Sequence, residues 1–453
     1  MKKDDRKRQS QPDKPFHQSQ ESLFTWSSGF SNFSGLVNLG FLLLSIGGFR
    51  LLLENFIKYG IRIDPIQWYI ALTGHNYGEG QGEGFPSLTL ILYTLVAIFI
   101  CFMVEKGLSV KRHAEKIGML IHAINLVVFI LVPVVIMNIH GHNFSIISAS
   151  IMCFGYSNTF MKLWSYIHVN MWCRHDTLKS GMKTQNSSDN INEVNGNKKD
   201  HHTEFLVKYP QNLHLKDLFY FLCAPTLCYE LNFPRKHEIR KQFLLKRTLE
   251  VIIGVNVVLA LVQQWMIPSV QNSLIPFSNM DLPHTTERLL KLAVPNHLVW
   301  LCFFYLTFHS FLNLLGEITQ FADRNFYSDW WNADCINTFW RCWNIPVHRW
   351  CVRHVYVPII TMGFSQSTAS NVVFFVSAIF HEYLVSIPLR IFKIWAFMGM
   401  MAQIPLARLS NHVKERFGPR WGNIIVWSSL IIGQPLAIMM YYHDYIVTYY
   451  REI

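Results

Sequence analysis

Apolar runs of roughly twenty residues, the length an α-helix needs to cross a bilayer, alternate with short polar stretches along most of the chain. Runs of this kind fall at 35–55, 86–104, 118–137, 144–163, 249–268, 297–316, 371–388, 392–408 and 423–443. The pattern predicts an all-α, polytopic membrane protein with about nine spans, residues 31–450 forming one membrane domain. Two stretches between the runs are patterned and are not linkers: 211–248 and 320–356. In the second, Ile336, Phe339, Trp340 and Trp343 fall at i, i+3, i+4 and i+7, the stripe of an amphipathic helix lying at a membrane surface or against other helices, and Pro346 ends it. Residues 1–30 have too little apolar content to fold alone and read as a disordered cytosolic tail, and 175–203, rich in Asn, Ser, Asp and Lys, reads as a disordered cytosolic insert.

Charge orients the pattern. With a cytosolic N-terminus, the basic loops 105–117, 164–248, 317–370 and 409–422 share the cytosolic side, and the opposite loops are poorer in Lys and Arg; Arg390 and Lys393 are the exception. The formal charge of +11 suits anionic lipid or a polyphosphorylated substrate, and no nucleic-acid module is present. Residues 1–28 do not form a cleavable signal peptide, so the first span is expected to direct insertion. The nine cysteines show no CxxC and no regular spacing, which predicts free thiols and no metal. The glycine-rich Gly78 to Gly84 carries glutamates that would repel phosphate and reads as a loop.

The chemistry concentrates in Phe326 to Pro388. His381 and Glu382 sit inside the apolar run Val372–Ile387, where an ionisable group costs about 2.5–3.5 kcal/mol, so each needs a compensating environment or a task. A desolvated imidazole would be neutral and able to accept a proton from an alcohol; the plain alternative is a core histidine satisfied by Ser377, one turn earlier. Glu382 lies about 100° round the helix and suits an orienting or structural role better than a catalytic one. Asn344 is a candidate to fix a carbonyl or the imidazole, or else a cap before Pro346. Gln403 and Gln434 are single amides in apolar runs, either glue between helices or contacts to a substrate ester. No GxSxG elbow is present, and no histidine precedes an aspartate by five residues.

Phe326-Tyr327-Ser328-Asp329-Trp330-Trp331-Asn332 and Phe380-His381-Glu382-Tyr383 resemble the FYxDWWN signature and the histidine segment of the membrane-bound O-acyltransferases, in their sterol and diacylglycerol branch. Ala224 to Arg235 and Trp343-Asn344-Ile345-Pro346-Val347-His348 are similar to the type-1 diacylglycerol acyltransferase subgroup, and Met400 to Pro405 and Ile431 to Pro435 extend the likeness over about residues 31–448. The resemblance implies an endoplasmic-reticulum enzyme, often dimeric, joining the acyl group of acyl-CoA to a diacylglycerol hydroxyl inside a tunnel of spans. It implies acyl-CoA as co-substrate and no permanently bound cofactor. It also implies His381 as the base, Asn344 near the reacting carbonyl, Glu382 beside the base, and Gln403 and Gln434 on the lipid side. Phe326, Tyr327, Asp329, Trp330, Trp331, Asn332, Trp340, Trp343, His348, Tyr356 and Ser377 would line the CoA side. One departure stands out: relatives commonly carry basic residues between Tyr356 and Ser377, and Thr361 to Ser370 has none here, leaving Arg349 or Arg353 as substitutes. The rivals are an acyltransferase for a sterol, retinol or long-chain alcohol and, from another class, a proton-relay transporter or lipid-binding protein built on His381 and Glu382.

Overall fold

The computed structural model describes residues 34–73, 86–110, 114–141, 144–186 and 206–450. The chain divides into two compact units, up to Ile61 and from Arg62 onward. The first is represented by α1, Ser34–Tyr59. In the second, α2 (Pro65–Thr73), α3 (Pro86–Val110), α4 (Glu115–Ile139) and α5 (Ile146–Asn186) lead to the short α6 (Leu215–Cys223). Two long helical spans follow, α7 (Lys241–Ser278) and α8 (Leu282–Ile318), interrupted by π-turns at Val262–Met266 and Tyr305–Phe311. Next come α9 (Ile336–Trp343), α10 (Ile345–Cys351) running into a π-turn at Val352–Tyr356, α11 (Gln366–Leu389), α12 (Trp395–Met401), α13 (Gln403–Phe417) and α14 (Pro419–Tyr449). Among the described residues the only strand-like pairing is one antiparallel bridge between Arg235 and Phe321. The all-helical membrane architecture is as expected.

Seven of the described helical segments are long and apolar enough to cross a membrane, so the expected count of nine is not confirmed. The predicted span at 144–163 forms, but as part of the 41-residue α5, whose continuation through Arg174 carries polar side chains packed inside the protein. Lys162 donates to the carbonyls of Phe221, Leu222 and Ala224 at the end of α6, Asn170 accepts from Asn212, and Arg174 pairs with the fully buried Glu105. The predicted span at 392–408 is broken into α12 and α13. Pro405 has no N–H to continue the first helix, and α13 then carries Arg408, Asn411 and Lys414. The tail 1–30, the glycine-rich loop and most of 187–203 lie outside the described residues, while 175–186 continue α5 as helix.

One apolar core holds α11 in place, and a second lies among α8, α9 and α14. Leu90, Phe129, Met137, Cys153 and Tyr156 from α3, α4 and α5 pack with Ile387 near the C-terminal end of α11. Phe304, Phe308, Trp330, Ile336, Phe339 and Val426 form the second, joining α8, α9 and α14. The chain turns from α13 into α14 at Gly418, whose φ of +100° disfavours a side chain. At Gly422 a Cβ would lie 1.9 Å from the Asp334 carbonyl oxygen, so a glycine is what lets α14 lie against the start of α9.

Candidate active site

The surface helix meets the histidine span: the Trp340 ring on α9 stands edge-on to the His381 ring on α11, centroids 6.4 Å apart. The His381 side chain keeps free surface, unlike one in the packed core. Its Nδ1 lies 2.8 Å from the Ser377 carbonyl oxygen, while the Ser377 hydroxyl is at 3.4 Å. A carbonyl oxygen only accepts, so the bond puts the ring proton on Nδ1 and leaves a lone pair on Nε2. Nε2 has no protein partner among the described residues. This is the geometry of a neutral base whose tautomer is fixed by the turn of helix below it.

Asn344 closes α9 and caps α10. Its Oδ1 accepts from the Val347 backbone N–H at 3.2 Å, and its half-buried amide NH2 is not used among the described residues. The cap explains the local need for Asn before Ile345-Pro346. The spare N–H2 is a donor available to a carbonyl.

Glu382 faces elsewhere. Its carboxylate accepts from Tyr441 Oη at 3.0 and 2.9 Å, from the backbone N–H of Ile394 (3.1 Å) and Phe397 (2.9 Å), and from the Ser386 hydroxyl. It therefore ties α11 to α12 and α14. A hollow lined by Glu382, Tyr383, Ser386, Phe392 and Phe397 lies along this side of α11 and does not include His381.

The FYSDWWN stretch divides between core and surface. Phe326 and Trp330 are 2% exposed, and Trp330 meets Trp300, Phe304, Phe339 and Trp427 edge-on or tilted, so both pack the fold and neither offers a face to a ligand in this conformation. The Tyr327 hydroxyl bonds His309 Nδ1 (2.8 Å), and Asp329 accepts from Ser328 and, more loosely, Asn332. Trp331 is exposed, and its carbonyl takes Asn423 and Trp427 N–H groups from α14. Trp343 stacks on Trp300 at 5.2 Å and 15°. Trp300 was not singled out from the sequence; four aromatic residues at 300, 303, 304 and 305 in one span are the signal that could have found it.

His348 and Tyr356 are half-buried on the same segment. His348 is harder to protonate than usual because of burial first, then the charges of Arg341 and Arg349. Gln434 accepts from Asn296 of α8 at 3.1 Å, which is the helix-to-helix bond, and Gln403 reaches only the Gly399 carbonyl of the preceding turn, at 3.4 Å. Thus the fold brings together His381, Ser377 and Trp340; it does not turn Glu382 toward them. All nine cysteines are free thiols. Among the described residues no group of His, Cys, Asp and Glu has the makings of a metal site.

Residues 85–443 match the family described as MBOAT, membrane-bound O-acyltransferase family. The chain is 47% identical over 431 residues to diacylglycerol O-acyltransferase 1 of Bos taurus, covering 95% of this chain and 85% of that protein. It is 46% identical over 435 residues to the Homo sapiens protein of the same name, with 96% and 85% covered. A plant relative, diacylglycerol O-acyltransferase 1A of Glycine max, is 37% identical over 413 residues, with 91% and 78% covered.

Proposed function

Because this chain belongs to the membrane-bound O-acyltransferase family, we propose that it transfers the acyl group of acyl-CoA to the free hydroxyl of a 1,2-diacylglycerol, with His381 as general base. The acceptor follows from the curated relatives, each named for diacylglycerol, which favours it over a sterol, retinol or long-chain alcohol. The observation that carries the base is the bond from Nδ1–H to the Ser377 carbonyl, which leaves Nε2 free to accept.

On this reading the diacylglycerol hydroxyl gives its proton to Nε2 as its oxygen attacks the thioester carbonyl carbon. The tetrahedral intermediate collapses with cleavage of C–S, and the thiolate leaves as CoA-SH after taking the proton back from the imidazolium. Asn344 suits the carbonyl through its spare amide hydrogens. Glu382 is a positioning residue, holding the far face of α11 through Tyr441 and α12. A proton relay through His381 and Glu382 is disfavoured because the carboxylate spends its lone pairs on Tyr441, Ser386 and two backbone N–H groups. The same reading puts the protein in the endoplasmic-reticulum membrane as a homodimer or homo-oligomer, with a cytosolic N-terminus in line with the basic loops.

The test is the purified protein in nanodiscs with labelled oleoyl-CoA and 1,2-dioleoylglycerol, wild type against His381→Ala at matched folding. Triacylglycerol made by wild type and absent in the variant is the expected result. Esterification of cholesterol, retinol or hexadecanol in preference to diacylglycerol would overturn the acceptor, and a variant that keeps most of its rate would overturn the base.

A further inference from the structure

The acyl-CoA reading leaves a charge problem at the segment that meets His381. The CoA nucleotide carries three phosphates, which do not enter hydrocarbon and need cations at the water side of the site. Residues 357–371 contain no Lys or Arg. Of the three arginines on Ile336–Tyr356, two are committed elsewhere. Arg349 pairs with Asp323 at 2.5 Å, and Arg353 donates to the Tyr229 carbonyl at 3.0 Å while lying over the Trp172 ring. Beside them, Lys414 of α13 is paired with Asp334 at 2.6 Å.

Arg341 differs. It is exposed, no carboxylate lies within ion-pair distance among the described residues, and its one side-chain bond to oxygen is a long 3.5 Å approach to Thr338 Oγ1. It follows Trp340 directly on α9, so one residue faces His381 and the next, about 100° round the helix, faces outward. Asn344 and His348 follow on the cap and on α10, and the charge of Arg341 is felt at His348. One short segment thus carries the residue at the base, the capping amide with spare donors and a guanidinium with no carboxylate partner.

We propose that Arg341 anchors a phosphate of the CoA nucleotide and so fixes how far the thioester arm reaches past Trp340 to His381. The proposal rests on acyl-CoA being the donor. A guanidinium offers a planar pair of donors that fits phosphate, and a carboxylate-free one gives up no ion pair to do so. The same chemistry would suit a lipid headgroup phosphate, so the experiment separates the two.

The measurement is equilibrium binding of CoA and of free pantetheine, which lacks the nucleotide, to wild type, Arg341→Gln and Arg341→Lys in neutral phosphatidylcholine nanodiscs. Arg341→Gln is expected to weaken CoA roughly ten-fold and to flatten the salt dependence of binding, with Arg341→Lys in between and pantetheine unchanged. CoA affinity within two-fold of wild type overturns the proposal. Equal losses for CoA and pantetheine overturn it too, since that is a structural defect. An effect that appears only in phosphatidylserine-containing discs assigns Arg341 to the headgroup instead. Wild type that binds CoA but makes no triacylglycerol would sink the acceptor reading and leave the Arg341 result standing; wild type that binds no CoA would sink both.

Discussion

Two histidines, His381 on α11 and His354 beyond α10, show how one residue type is put to opposite uses. His354 is 3% exposed and has both ring nitrogens engaged, Nε2 with the Ser165 hydroxyl at 2.8 Å and Nδ1 with His168 Nδ1 at 3.0 Å, and its ring stacks on Trp172. Ser165 in turn accepts from the Tyr229 backbone N–H, so the imidazole is one link in a chain joining α5 to the loop after α6. His381 has one nitrogen held by the backbone, the other unpartnered, and free surface beside it. Reactivity lies in the unspent lone pair and the free surface next to it.

The sharpest way to break the comparison is to remove each ring. His381→Ala is expected to lower triacylglycerol formation by about 10²–10⁴-fold with little change in the thermal unfolding midpoint, because general-base help is lost while only the edge-on ring contact to Trp340 goes with it. His354→Ala is expected to do the reverse: the rate per folded molecule is kept, and stability falls by about 1–3 kcal/mol as Ser165 and His168 lose their partner. Rates and unfolding midpoints for the two variants, measured side by side, check both; a His354→Ala protein that is stable but inactive would erase the distinction.

Glu382 extends the contrast along α11 itself. It is next to the base in sequence, yet it is bonded to Tyr441, Ser386 and the backbone of Ile394 and Phe397. Glu382→Ala leaves those donors unpaired and is expected to cost about 2–3 kcal/mol, read as a lower unfolding midpoint, with activity falling in step with the folded fraction. Glu382→Gln, which can still accept, should recover much of the midpoint. Activity that stays lost in a fully folded Glu382→Gln would move this residue back into the chemistry.

The hydropathy pattern made α11 and its histidine legible, and the i, i+3, i+4, i+7 stripe made α9 legible, because both signals are local in sequence. What it hid are pairings between distant segments. Arg174 reads as polar loop, and Lys162 as the end of a span, until Glu105 and the carbonyls at 221–224 are brought to them, and this is why α5 runs beyond its apolar run. Arg349 and Arg353 read as free cations until Asp323 and Tyr229 are in place. Phe326 and Trp330 belong to a recognisable motif whose spacing does not say which of its side chains pack inward.

Acid should separate the two histidines as well. Burial, with His168 and Arg353 nearby, pushes His354 from 6.5 down to about 3. The unfolded chain then binds a proton near 6.5 that the native site refuses until about 3. The contribution of the neutral ring is complete above the unfolded value, declines as pH falls through that window, and so makes stability rise with pH across it. The unfolding midpoint of wild type is expected to drop between about pH 7 and about pH 5 by more than that of His354→Asn. Equal slopes would show that His354 is not the group responsible.

The smallest expected effect is at Ser377, one turn before the base. If its hydroxyl held the imidazole, His381 would be a satisfied core histidine of the ordinary kind, and Ser377→Ala would free the ring and cost much of the rate. The distances favour the other reading: the carbonyl oxygen is at 2.8 Å and the hydroxyl at 3.4 Å, beyond the usual range for a good bond. Only the carbonyl, which no substitution at Ser377 removes, is close enough to fix the tautomer. Ser377→Ala is therefore expected to keep the rate within about three-fold of wild type, less than the loss of one full hydrogen bond. A pH–rate profile of the variant completes the check, since loss of a tautomer-fixing contact would shift the limb that reports the base, whereas loss of a spectator hydroxyl would leave it in place.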